Sequence, residues 1–202
     1  MNQQSLWDTF YTIQAWQKET LDLPQICANK RILELGCGNG KTLKAILSQD
    51  PQAVLAIDFS GEALKRAKEM IQDLRVTFLH TNVLALPGDL GTFDVIVCYY
   101  LLNNLTPAEQ TSLIASLHSL LNPEGTLLLE DYTTGDHREQ TTHTLRRDFI
   151  SQERIKQLLA NYTLTSCAEN SFSPYKQSLQ QRRIIRASAI HPVSSKKYDN
   201  SG

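Results

Sequence analysis

Three glycines at alternating positions, Gly36, Gly38 and Gly40, follow a short apolar run that carries one acid, Glu34. Glycine lacks a Cβ, so a loop built this way turns sharply and lets a ligand approach the backbone closely. The run 31–35 reads as a strand and 39–48 as a helix, the strand–loop–helix arrangement of a nucleotide-type site. A second acid, Asp58, ends the next apolar run twenty residues beyond Gly38, where a carboxylate accepts hydrogen bonds from ribose hydroxyls. A bare tight turn needs one or two glycines and no acid before them.

The spacing selects among ligands. A dinucleotide loop wants G-x-G-x-x-G with a pyrophosphate on the helix N-terminus. Here the third glycine comes one residue early, Lys41 stands where that pattern needs a small residue, and Glu34 would repel a pyrophosphate. No Gly-Lys-Ser/Thr follows at P-loop spacing. An acid beside the loop suits a ligand with ammonium and hydroxyl groups and no phosphate. S-adenosylmethionine (SAM), a nucleoside carrying a sulfonium and an amino group, is such a ligand.

At these residues the chain resembles the class I SAM-dependent methyltransferases, whose first motif reads E/D-x-G-x-G-x-G; residues 34–40, ELGCGNG, match every fixed position. The resemblance extends over about residues 30–190. It implies a Rossmann-like, doubly wound α/β sheet of seven strands with the last one antiparallel. It also implies SAM as cofactor and an adenine contact near Asn82 and Val83, where the family usually has an acid; asparagine keeps both a donor and an acceptor.

The same resemblance covers the segment after the fourth strand. Where many small-molecule members read x-x-h-L-H-H-L, this chain has two asparagines, Asn103 and Asn104, in place of the histidines. An obvious general base is thereby absent, while hydrogen-bonding groups remain beside the methyl group. Tyr99 or Tyr100 either flanks the sulfonium by a cation–π contact or packs in the core. Phe59 lies either against the adenine or in the core. Cys37 and Cys98 have no base near them in sequence, so their backbone atoms rather than their thiols are expected to face the cofactor.

Acceptor-side residues are expected at Asn103 after the fourth strand, at Tyr132 at the end of the fifth, and at His143 in the long polar segment that follows it. Long loops at this end of an α/β sheet shape substrates. His137 and His143 are six apart without a third ligand at metal spacing, so no metal site is expected. Methyl transfer needs alignment, exclusion of water and, for some acceptors, a base. No particular catalytic residue is therefore demanded, and none is assigned.

The elements that hold these residues alternate. Strands are expected at 31–35, 54–58, 75–79, 93–98 and 126–130, with helices between them. Ser60 and Ser151 are expected to cap helices, and Thr106, Pro107 and Glu109 form a capping box. The run 93–98 is nearly all apolar and so buried on both faces. Alternating strands and helices imply a parallel sheet with right-handed crossovers. Two late strands, 162–167 and 182–189, follow the last helix with none between them and suggest a closing hairpin.

Residues from about 5 to 28 read as helix, and 1–29 as an N-terminal unit whose Trp7, Tyr11 and Trp16 either fold over the cofactor as a lid or pack on the sheet edge. From His191 on, a disordered tail is expected. At 202 residues, with 41% hydrophobic and 20% charged, the chain suits one soluble domain. No apolar run is long enough to cross a bilayer, the first residues lack the basic and apolar regions expected of a signal peptide, and four widely spaced cysteines read as reduced thiols of a cytoplasmic protein. The net charge of −1 favours neither nucleic acid nor membrane. One stretch, 171–198, has six Lys and Arg and no acid. It reads either as a solvated outer strand and tail or as a patch for an anionic substrate or RNA.

The expectation is a SAM-dependent methyltransferase acting on a small molecule, as monomer or homodimer. The alternatives are an RNA or protein methyltransferase, or a SAM-binding partner subunit without catalysis. The N/D-P-P-Y/F motif of adenine and glutamine methylation is absent after the fourth strand.

Overall fold

The apolar runs at 32–35 and 95–98 lie side by side in the middle of a sheet, each alternating its side chains between two cores. In a computed structural model, which describes residues 3–13, 23–134, 148–172 and 182–193, the elements are α1 (Gln3–Ile13), β1 (Arg31–Leu35), α2 (Lys41–Leu47), β2 (Ala53–Asp58), α3 (Gly61–Met70), β3 (Val76–His80), β4 (Phe93–Tyr99), α4 (Pro107–Leu117), β5 (Leu121–Tyr132), α5 (Gln152–Leu158), β6 (Thr163–Phe172) and β7 (Arg182–Ile190). Seven strands form one sheet in the order β3-β2-β1-β4-β5-β7-β6. β1 to β5 are parallel, and β7 runs antiparallel to both β5 and β6. The doubly wound sheet with a reversed last strand is therefore present.

Leu33, Leu35, Ile96, Cys98, Leu127 and Leu129 face one core, which α4 and α5 close with Leu113, Ile114, Leu117 and Ile155. Ile32, Val95, Val97 and Leu128 face the other, closed by Leu43 and Ile46 of α2 and Leu64 of α3. Period-two alternation with both faces covered is what a central parallel strand requires.

Capping residues set where the helices begin. Ser60 Oγ accepts from Ala63 N at 3.1 Å, and Ser151 Oγ accepts from Arg154 N at 3.1 Å. At α4 both halves of the capping box form: Glu109 N donates to Thr106 Oγ1 at 3.2 Å and Thr106 N donates to Glu109 Oε2 at 2.7 Å. Thr106→Ala is expected to cost about 1 kcal/mol of unfolding free energy, read by urea denaturation.

The structure corrects four boundaries. The N-terminal helix does not run to residue 28: α1 ends at Ile13, residues 14–22 lie outside the described part, and 23–30 is loop. Pro24 has no N–H to continue a helix, and a turn closed by Lys30 N on Cys27 O at 3.2 Å follows. β5 begins at Leu121, paired with Phe93, ahead of the expected start at 126; residues 122–125 bulge out, with Glu124 at φ 63°, and pairing resumes at Thr126 with Val95. β6 extends to Phe172 because β7 offers partners back to Arg182. His191 belongs to the fold rather than to a tail. Its N donates to Gly125 O at 2.9 Å, and its ring lies 4.1 Å from that of His118.

Candidate active site

The loop after β1 is held from beneath by β2. Cys37 N donates to Ile57 O at 2.9 Å, and Gly38 N donates to Asp58 Oδ2 at 2.8 Å. The other oxygen of Asp58 accepts from Ser60 N at 2.9 Å, so one buried carboxylate ties the glycine loop to the start of α3. Gly36, Gly38 and Gly40 all have positive φ, 70°, 53° and 84°. The tightest of the three is Gly38, where a Cβ would stand 2.4 Å from the hydroxyl of Tyr11.

Tyr11 arrives there because α1 lies across this end of the sheet. Asp8 Oδ1 accepts from Ser60 Oγ at 2.6 Å and from Glu62 N at 3.3 Å, and Arg66 Nη2 donates to Thr12 O at 2.9 Å. Trp7, Phe10 and Tyr11 pack together along α1, Phe10 meeting each of the other two rings edge to face.

Beneath α1 a cleft opens at the carboxyl ends of the central strands, in two lobes. The larger, about 290 Å³, is bordered by Asp58, Phe59, Asn82 and Val83, bringing together the four residues expected at ribose and adenine. The smaller, about 100 Å³, is bordered by Gly36, Cys37, Gly38, Tyr99, Asn103 and Tyr132. Trp7, Tyr11, Gly36, Tyr100 and Asn104 border both.

Three expected residues do not reach the cleft. Glu34 is buried under the loop, Cys98 is buried in the core beside Leu35 with its thiol pushed up by burial, and Gly40 turns toward Ile71 and Ala67. Strand alternation sends Cys98 into the α4–α5 core. His143, His137 and Trp16 lie outside the described residues.

The position of Glu34 is still informative. The Thr42 side chain hydrogen-bonds to it, but its Oε2 is buried without a partner, and burial pushes its carboxyl up from 4.5 to about 8. The folded chain therefore holds a proton on Glu34 that the unfolded chain releases between those values. The stability this residue contributes is present below pH 4.5 and falls as pH rises toward 8. Glu34→Gln is expected to melt higher than the parent at about pH 8 and equally at about pH 4, read by thermal denaturation at both.

Sequence reasoning missed Lys41 and Thr42 as lining residues, whereas Tyr100 and Asn104, which it weighed beside the sulfonium and the methyl group, border both lobes. Lys41 sits at the first turn of α2, directly after the last glycine, and burial lowers its ammonium to about 8. Its place beside the loop was the available signal. Tyr100 is held at φ 55°, its N donating to Glu130 O at 2.7 Å and its hydroxyl donating to Glu130 Oε1, while Arg186 Nε donates to Glu130 Oε2. Its ring lies 4.7 Å from that of Tyr132. Asp131, also buried, accepts from Asn103 N at 3.0 Å, from Asn103 Nδ2 and from Tyr132 N at 2.8 Å; burial raises its carboxyl to about 7.

These residues fit SAM. The loop leaves no room for a Cβ at Gly38, an acid with an unpartnered buried oxygen lies beneath it, and a carboxylate and an asparagine border the larger lobe. Lys41 at the smaller lobe suits the carboxylate of the methionine moiety. Among the described residues no group of three His, Cys, Asp or Glu is placed to hold a metal ion, and no helix is long and apolar enough to cross a membrane.

Known proteins resemble the chain in part of its sequence and in its fold. Residues 32–125 match the family described as "Methyltransferase domain". The tRNA N(3)-cytidine methyltransferase METTL2 of Xenopus tropicalis is 35% identical over 118 residues, covering 54% of this chain and 35% of that protein. The demethylmenaquinone methyltransferase of Thermus thermophilus is 31% identical over 120 residues, covering 58% of this chain and 54% of that protein. The chain thus spans between about a third and just over half of these relatives' length. Among solved structures, a SAM-dependent methyltransferase from Methanosarcina mazei superposes with a TM-score of 0.74 over 86% of this chain and 100% of that one, at 17% identity, a likeness of fold.

Proposed function

We propose that the chain is a SAM-dependent methyltransferase that transfers the methyl group of SAM to a small-molecule acceptor, a reading supported by the methyltransferase-domain match over residues 32–125 and by the fold. Bound at the glycine loop, SAM supplies an electrophilic methyl group on a sulfonium. Asp58 holds the ribose hydroxyls, Asn82 and Val83 border the adenine, and Lys41 holds the carboxylate. α1 acts as a lid whose Trp7 and Tyr11 exclude water from both lobes.

The observation that carries the small-molecule reading is the smaller lobe itself. It measures about 100 Å³, and α1 covers it with two aromatic rings. Shared with the methionine end of SAM, a space of that size leaves room only for a compact acceptor beside the loop, and alignment and desolvation within it supply the rate. The four free cysteines agree with a reducing, cytoplasmic location.

A second reading, an RNA or protein acceptor, is favoured by the likeness to METTL2. Two described arginines of the basic stretch weigh against it. Arg183 pairs with Glu169 at 2.7 Å, and Arg186 pairs with the buried Glu130. Incubation with methyl-labelled SAM and a cell extract separates the readings. Label is expected in the low-molecular-weight fraction; label in RNA, falling steeply with added salt, would establish the second reading. Bound SAM with no label anywhere would leave a non-catalytic partner subunit.

A further inference from the structure

The hydrogen bonds that fasten α1 to α3 come from residues that border neither lobe of the cleft. Asp8 Oδ1 accepts from Ser60 Oγ at 2.6 Å and from Glu62 N at 3.3 Å, and Arg66 Nη2 donates to Thr12 O at 2.9 Å. Glu62 steers Arg66, whose Nε lies 3.6 Å from Glu62 Oε1. Ser60 joins the parts. Its hydroxyl has one hydrogen, which goes to Asp8, while its oxygen accepts from Ala63 N at 3.1 Å and caps α3. Its N donates to Asp58 Oδ1 at 2.9 Å. The Asp8 carboxylate also meets the positive end of the α3 dipole. α1 is thus held by the same turn that holds Asp58.

Trp7 and Tyr11 flank Asp8 in sequence, and both border both lobes. The Tyr11 hydroxyl rests so near the glycine loop that a Cβ on Gly38 would stand 2.4 Å from it. No heavy atom of a ligand passes between the two while α1 stays down.

From this geometry we propose that Asp8 is a positioning residue that latches α1 and sets how fast the cofactor enters and leaves, without setting how tightly it binds. The proposal rests on the SAM reading above. The latch atoms lie outside the cleft, so the strength of the latch does not depend on what the cleft holds. A contact of equal strength with and without ligand shifts no binding equilibrium. It does change both rates by one factor, because entry and exit pass through the same lifted α1.

The test measures rates and affinity separately on the full chain with S-adenosylhomocysteine. Stopped-flow tryptophan fluorescence reads the rates, since Trp7 borders both lobes, and calorimetry reads Kd. Asp8→Ala is expected to raise the association and dissociation rate constants each about tenfold and to leave Kd within about twofold of the parent. Asp8→Asn keeps an oxygen for the Ser60 hydroxyl and is expected to fall between the two. Arg66→Met removes the bond to Thr12 O and is expected to raise both rates by a smaller common factor; it carries the test if Asp8→Ala fails to fold. Unchanged rates would overturn the proposal. So would a faster dissociation alone with weaker binding, the mark of lost support for the bound form, or tighter binding, the mark of α1 competing with the ligand. Absence of S-adenosylhomocysteine binding in the parent would instead overturn the SAM reading on which the proposal rests.

Discussion

Asp58→Ala is expected to lower the affinity for S-adenosylhomocysteine about 100-fold or more, measured by calorimetry, with the far-ultraviolet dichroism of the folded chain retained. The carboxylate has two structural duties and one ligand duty. It accepts from Gly38 N and Ser60 N, fixing the loop against α3, and it borders the lobe assigned to the nucleoside. Alanine leaves two buried N–H donors without an acceptor, about 1–3 kcal/mol each, and removes the ribose partner as well. A 100-fold loss is about 2.7 kcal/mol, within what those terms supply. Asp58→Asn is expected to recover only part, because its NH2 group must face one of two backbone donors.

Gly38→Ala is expected to weaken the same binding at least about tenfold for a different reason. A Cβ there meets the Tyr11 hydroxyl at 2.4 Å, and the residue's φ of 53° is one that L side chains disfavour by about 1 kcal/mol. The ring has to move, and α1 with it, opening both lobes. Adding Tyr11→Phe removes the clashing oxygen and is expected to restore part of the affinity, leaving the backbone penalty. Gly88→Ala, where a Cβ meets nothing within 4 Å, serves as the control and is expected to bind like the parent. Failure of the double variant to recover any affinity would place the effect in the backbone alone.

The chemistry nearest the glycine loop was legible in the sequence because it is local. Glu34, the glycines and Asp58 announce themselves by spacing, and Asp58 meets Gly38 through a hydrogen bond that the strand pair β1–β2 makes unavoidable. The capping box at Thr106 was equally legible, since its partners lie three residues apart. Long-range docking was not. Nothing in the spacing of Tyr11 says that its hydroxyl rests over Gly38; that follows from Asp8 gripping the start of α3. The end of α1 could not be read either, because the apolar positions continue past Pro24 into loop residues such as Cys27, buried in the core. Cys98 was expected to face the cofactor through its backbone at a strand tip; its side chain alternates into the α4–α5 core, and it is not among the residues that border the cleft. The orientation of the Asn103 and Asn104 amides depends on Asp131 and on two backbone carbonyls, which only the folded turn brings together.

The central claim is that a loop with glycines at 36, 38 and 40 and acids at 34 and 58 binds SAM and not a dinucleotide. Isothermal titration of the full chain with S-adenosylhomocysteine, and separately with NADH, tests it most directly. One S-adenosylhomocysteine per chain with no heat from NADH is the expected result; saturable NADH binding with none of S-adenosylhomocysteine would contradict the account.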